Sequence, residues 1–316
     1  MENFWNKLRR PILVQAPMED VTDAAFRRLI ARYGKPDVMF TEFTSADGLV
    51  LAPEKGQQAL RKKLVFGEGE RPIVAQLFTS VPDHMAQASL MCAKLGFDGI
   101  DINMGCPDRA VEKGGCGAAL IKNPQNARAL IRAAKESGLP VSVKTRLGYN
   151  TDELEEWLPE LLTEKPAAIT IHARTRKEMS LVPARWERVK RAVEMRDALK
   201  SETLILGNGD VKDVADARAK VAEAGCDGAM LGRAIYGNPW LYANRTESPT
   251  PPERRTALIE HLALFDELMS DTTNYATMKK HFKAYISGWD GAKDLRMSLM
   301  ETESCEEATK ILEQSK

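Results

Sequence analysis

The chain predicts an α/β fold, a TIM (β/α)8 barrel followed by a small C-terminal all-helical domain. Eight short strand-like segments, most of them Ile- and Val-rich runs, suit parallel strands covered on both faces. Amphipathic helical stretches lie between most of them, and the alternation lasts about 240 residues, close to the ~250 of such barrels. Beyond residue 250 only helical patterns remain. A doubly wound sheet is disfavoured because no G-x-G-x-x-G follows the first strand, and another α/β layer fold stays open.

The strand segments are Ile12–Met18, Val38–Phe43, Ile73–Phe78, Gly99–Gly105, Val141–Leu147, Ala168–Arg174, Thr203–Asp210 and Asp227–Ala234. The first helix is expected to have Thr22 as its cap, Phe26, Leu29, Ile30 and Tyr33 along one face, and Gly34 past its end. Asn123-Pro124 supplies a cap and a first-turn proline before Ala127–Glu136, and Gly138 stops that helix. Asp152–Glu164 reads as helical, with Pro159 expected to kink or split it. Ala184–Leu199 and Asp213–Ala224 are expected helices, the second closed by Gly225. Ser248-Pro249-Thr250-Pro251-Pro252 reads as a stiff linker. The expected division is therefore a barrel over 1–244, a linker over 245–252 and a helical domain over 253–316. That last domain should hold helices at Arg255–Ser270, Tyr275–Ser287, Lys293–Met300 and Glu306–Gln314.

Charge is balanced, 45 basic against 45 acidic residues, so any nucleic acid must be met by a local basic face. The opening residues lack a signal peptide's apolar run, and no apolar stretch approaches the ~20 residues needed to cross a bilayer. Five cysteines without C-x-x-C spacing argue against a disulfide framework or a zinc site, so no metal is expected and the compartment is expected to be cytoplasmic.

In such a barrel the carboxyl ends of the strands build the active site. Those ends carry Ala16-Pro17-Met18, Glu42, Gln76, Asn103 with Cys106, Lys144 with Arg146, His172 with Arg174, Gly207-Asn208-Gly209-Asp210, and Gly232-Arg233. Gly-rich turns after the last two strands let backbone N–H groups approach a phosphate, and Arg233 adds a fork of donors. Lys144 could hold negative charge on a cofactor ring or form a Schiff base. Gln76 and Asn103 can donate and accept, which suits the edge of a flavin or a pyrimidine. Cys106, lifted out by a Gly-Cys-Pro turn, is expected to face a substrate.

These motifs, in this order, resemble the tRNA-dihydrouridine synthases. Ala16–Asp23 is similar to that family's opening motif. Asn103-Met104-Gly105-Cys106-Pro107 with Val111, Gly114 and Gly117–Leu120 resembles its catalytic signature. Val143–Gly148, Ile171–Thr175, Asn208–Asp210, Gly232–Ala234 and Gly237–Trp240 resemble its later strand motifs. Cys116 departs from the Gly or Ala expected there, and the appended helical domain is short.

The resemblance implies reduction of uridine to dihydrouridine in tRNA. FMN would lie across the barrel mouth against Ala16, Pro17 and Met18, bonded by Gln76, Lys144 and His172. Its phosphate would sit on Asn208, Gly209, Asp210, Gly232 and Arg233. NADPH would be the reductant, and Cys106 the proton donor to C5 while a hydride reaches C6. Asn103, Arg146 and Arg174 would contact a flipped or unpaired D-loop uridine, with the protein acting as a monomer.

Residues 250–316 hold 9 Lys/Arg against 12 Asp/Glu, so RNA contact there would need a local cluster. Lys279, Lys280, His281, Lys283, Lys293 and Arg296, with Tyr275, Tyr285 and Trp289, form one in sequence. Two other readings stay open: a flavin barrel reductase of a free small molecule, such as a dihydroorotate or enoate oxidoreductase, and a catalytically silent RNA-binding barrel.

Overall fold

The computed structural model describes residues 3–243 and 245–315, so the barrel boundary expected at Asn244 lies outside the described residues. Eight parallel strands are present: β1 (Ile12–Gln15), β2 (Met39–Phe40), β3 (Ile73–Phe78), β4 (Gly99–Met104), β5 (Val141–Arg146), β6 (Ala168–His172), β7 (Leu204–Asn208) and β8 (Gly228–Leu231). Each of β3 to β8 pairs with the next, β8 pairs with β1, and a bridge between Val14 and Val38 closes the ring towards β2. The second segment is broken. A two-residue piece, Thr44–Ser45, pairs with β3 beyond β2. Thr41 sits at the break, its hydroxyl accepting the Gln76 N–H (3.1 Å) and donating to the Glu42 carbonyl (2.9 Å) in place of a regular ladder.

Strand alternation sorts side chains into two cores. Ile12, Val14, Ala16, Val38, Phe40, Val74, Ala168, Leu204, Leu206 and Met230 pack together as one cluster, and Trp5 joins them from the Phe4–Lys7 turn. The other set, which includes Leu13, Met39, Ile73, Ile100, Val143, Ile169, Ile205 and Ala229, meets the helices.

The helices follow the caps, with local changes. Asp23 rather than Thr22 caps Ala24–Tyr33, accepting the Phe26 N–H at 2.8 Å, because the Thr22 hydroxyl is used by the Met18 N–H (2.9 Å). Asn123 caps Pro124–Lys135, Asp213 caps Val214–Ala224, and Gly225 ends the latter at φ +66. Leu154–Thr163 is one helix with Pro159 inside it, not a split pair.

The C-terminal helices are Pro251–Met269, Lys279–Tyr285, Ala292–Glu301 and Cys305–Gln314. The first begins inside the stretch read as linker: Thr250 and Glu253 form a capping box, and Pro251 needs no N–H in a first turn. The expected helix over Tyr275–Ser287 divides into a 3-10 turn at Tyr275–Thr277 and the helix from Lys279.

Helix Pro251–Met269 lies on Ala24–Tyr33, where the Tyr33 hydroxyl donates to Glu260 (2.9 Å). His261 and His281 are buried at this junction, their ring centroids 4.9 and 5.1 Å from Phe26 and 4.7 Å from each other. The C-terminal helices and the barrel thus share one continuous core. No helix among the described residues is long and apolar enough to cross a membrane.

Candidate active site

A cavity of about 770 Å³ opens at the carboxyl ends of the strands, within the ~300–1,000 Å³ usual for cofactor and small-molecule sites. Its wall includes Ala16, Pro17 and Met18 after β1, Lys144 on β5, His172 on β6, Arg174 beyond it, Asn208, Gly209 and Asp210 after β7, and Gly232 and Arg233 after β8. Register explains the gathering. Asn103 pairs with Lys144, Arg146 with His172, and His172 with Asn208, so neighbouring strands bring these positions to one height.

The wall is cationic. Burial and Arg146 push the Lys144 ammonium down to about 8, while Asp101 acts against them. Lys144 has no hydrogen-bond or ion-pair partner among the described residues. Burial, with Lys144, Arg146, Arg174 and Arg233 close by, holds His172 well below its ordinary value, so it is neutral. Its Nε2 lies 3.1 Å from Arg174 Nη1, which can only donate; the imidazole proton therefore sits on Nδ1.

Asp210 has a different position from the one expected of a phosphate ligand. Its carboxylate takes Arg174 Nη2, the Ala184 N–H (2.9 Å) and Arg233 Nη2 (2.9 Å). A carboxylate held this way orients two guanidinium groups. Gly209 has φ +116, and a Cβ there would stand 2.8 Å from Ala184 Cβ and 3.1 Å from the His172 ring, so the backbone approaches a wall no side chain would allow. The Asn208 amide donates to the Met230 carbonyl (2.8 Å) and ties β7 to β8 below the turn.

Cys106 is half-buried on the turn after β4 and is not part of the cavity wall, nor are Gln76, Asn103 and Arg146. Asn103 Oδ1 accepts both the Gly105 N–H (3.1 Å) and the Cys106 N–H (2.9 Å), which fixes the turn. Burial raises the thiol above its ordinary value, opposed by the Asp108 N–H and by the charges of Lys144 and Arg146; at neutral pH it carries its proton. Gln76 lies beneath, buried between Asp101 and Asn103. Arg146 spends its Nε and Nη1 on the carbonyls of Gly105 (2.8 Å), Thr175 (3.1 Å) and Met179 (3.0 Å), so it clamps two loops.

The expected C-terminal cluster divides. His281 and Tyr285 are buried at the junction and face no solvent. Lys280 reaches the barrel rim, pairing with Asp20 at 2.6 Å. Lys279 donates to the Met300 carbonyl (2.8 Å) and Arg296 to that of Ile286 (2.9 Å), while Lys283 and Lys293 are exposed. Sequence reasoning missed Ser180, Val211, Lys212 and Met230 in the cavity wall. Lys212, two residues after Asp210, was the findable one; Ser180 belongs to a long loop with no strand to place it.

The family model "Dihydrouridine synthase (Dus)" matches residues 14–316. A probable tRNA-dihydrouridine synthase of Staphylococcus aureus (strain COL) is 42% identical over 315 residues, covering 99% of this chain and 95% of that one. Probable tRNA-dihydrouridine synthase 2 of Bacillus subtilis (strain 168) is 42% identical over 314 residues, covering 99% and 96%. Among solved structures, histamine dehydrogenase from Rhizobium sp. 4-9 shares the fold with a TM-score of 0.56 at 14% identity, covering 80% of this chain and 48% of that one. The match runs from β1 through the C-terminal helices and takes in both the cysteine turn and the cation-lined mouth: the chain belongs to the dihydrouridine synthase family.

Proposed function

We propose that the protein reduces the C5=C6 bond of a uridine in tRNA, using FMN held in the barrel mouth and NADPH as the reductant. The observation that carries this reading is a half-buried cysteine on a turn fixed by Asn103, within reach of the charge of Lys144, which lines a cavity walled by cations.

The cavity suits FMN on its own chemistry. Ala16, Pro17 and Met18 give an apolar wall for a planar ring, and the partnerless Lys144 ammonium matches negative charge on a flavin's pyrimidine edge. His172 offers an Nδ1–H donor. The turns at Asn208-Gly209 and Gly232, with Arg233 held by Asp210, suit the phosphate. When bound, FMN supplies the hydride that reaches C6.

Cys106 gives its proton to C5, and the thiolate left behind is stabilised by Lys144 and Arg146 until solvent returns the proton. Asn103 and Arg146, both hydrogen-bonded to the cysteine turn, hold the uracil in this reading, while Arg174 helps shape the cavity. The base reaches them flipped or unpaired, from the D-loop. The C-terminal helices from 253 onward act as the RNA-holding domain through Lys283 and Lys293, with Lys279, Lys280 and Arg296 at its edge. The enzyme works as a cytoplasmic monomer in this reading.

The test is dihydrouridine in tRNA from cells lacking this protein, re-supplied with wild type or Cys106→Ala. Wild type should restore dihydrouridine, and Cys106→Ala should not, although it keeps its flavin and its NADPH oxidation. Restoration by Cys106→Ala would remove the thiol from the chemistry.

A further inference from the structure

We infer that Asp101 is a positioning residue for Cys106, setting the direction of a buried hydrogen-bond chain that ends on the cysteine turn. The inference rests on the proposed role of Cys106 for its consequence in turnover, but not for its structural content.

Asp101 lies on β4, two residues before Asn103, and is 1% exposed. It shares one row of the sheet with Gln76 on β3 and Ser142 on β5. The Ser142 hydroxyl donates to Asp101 Oδ1 (2.6 Å), and Gln76 Nε2 donates to Asp101 Oδ2 (2.7 Å). Asn103 Nδ2 donates to Gln76 Oε1 (3.2 Å), and Asn103 Oδ1 takes the N–H groups of Gly105 and Cys106.

Each link forces the next. An ionised carboxylate only accepts, so Gln76 must turn its NH2 towards it, which leaves Gln76 Oε1 facing Asn103. Asn103 must then present its own NH2, leaving its oxygen for the cysteine turn. A flipped Asn103 would set an NH2 against two N–H groups and release the turn. Three other ties on the turn are independent of this chain: Arg146 Nε to the Gly105 carbonyl, the Ala118 N–H to the Cys106 carbonyl (3.0 Å), and the Asp108 N–H to the Cys106 thiol. None of the three acts on the N–H of Gly105 or Cys106, so among the described residues Asn103 alone restrains the N–H side. Burial in a low-dielectric interior strengthens such a chain and makes a broken one costly.

The deciding substitutions are Asp101→Leu, which fills the space but accepts nothing, and Asp101→Asn. In the second, Oδ1 can still accept from Gln76 while the Ser142 hydroxyl, already 3.4 Å from the Ile100 carbonyl, swings to donate there. The readout is alkylation of Cys106 by iodoacetamide in flavin-free protein, as the rate per thiolate from the pH profile. Cys92, Cys116, Cys226 and Cys305 are buried and report general unfolding in the same mass spectra.

Asp101→Leu should speed alkylation at Cys106 about tenfold with the other four still protected, the factor that releasing ~1.4 kcal/mol of restraint gives. Asp101→Asn should stay within about twofold of wild type. An unchanged Cys106 rate in Asp101→Leu, equal exposure of all five cysteines, or an Asp101→Asn rate matching Asp101→Leu would each overturn the inference. In tRNA turnover, Asp101→Leu should lower kcat with little change in KM for tRNA. If alkylation responds and the wild type reduces no uridine, it is the proposed function that fails and the positioning role stands; if alkylation responds and the wild type is active but kcat is unaltered, the coupling to catalysis is refuted.

Discussion

Gly209 shows how little room the site leaves at the scale of one residue. Its positive φ and its closeness to Ala184 and His172 make even a methyl group intrusive. Gly209→Ala should lose about tenfold in flavin retention, from backbone strain of ~1–3 kcal/mol, read as flavin absorbance per mole of purified protein. Arg233→Ala should also weaken flavin retention, whereas normal occupancy would remove the phosphate site proposed here. Much of this wall was legible in the sequence, because Lys144, His172 and Asn208 stand as polar breaks at the ends of apolar runs. Asp101 and Ser142 were not: within an apolar strand each looks like a lone exception, and only the pairing register brings them to Gln76. The parts played by Asp210 and Arg146 were hidden for the same reason, since their partners come from loops on other strands.

At the scale of elements, the seam between β8 and β1 depends on Gly228. A Cβ there would lie 2.1 Å from the Ile12 carbonyl oxygen, inside the backbone of the neighbouring strand. Gly228→Ala should therefore cost about 3 kcal/mol or more, the upper part of the overpacking range, and lower the urea midpoint accordingly. Segment number, order and type were readable from hydrophobic period and punctuation, and Asn123, Asp213 and Gly225 act where their chemistry put them. The errors came where two residues could serve one role. Thr22 and Asp23 are both capping types, and only the turn at Met18, which occupies the Thr22 hydroxyl, decides between them. Pro251 and Pro252 fit a stiff linker or a first helical turn equally well until Glu253 closes its box with Thr250.

For the molecule as a whole, pH acts through the junction. Burial holds His281 down at about 4 and His261 well below 6.5, so the folded chain declines protons that the unfolded chain takes. Their contribution to stability is complete above about pH 6.5 and is lost as pH falls through the folded values. Relative to His281→Phe, wild type should lose up to about 3 kcal/mol between pH 7 and pH 4, measured by urea unfolding of both proteins. Comparing the two removes the opposite trend of Asp23 and Glu42, whose burial pushes them up to about 6 and about 7. The wall that carries these histidines has a calorimetric consequence. Phe26 packs against both from a helix of the barrel, so the C-terminal helices cannot melt away without baring that helix's outer face. Heating should accordingly give one absorption peak for the entire chain, with matching van't Hoff and calorimetric enthalpies, where separable modules would give two.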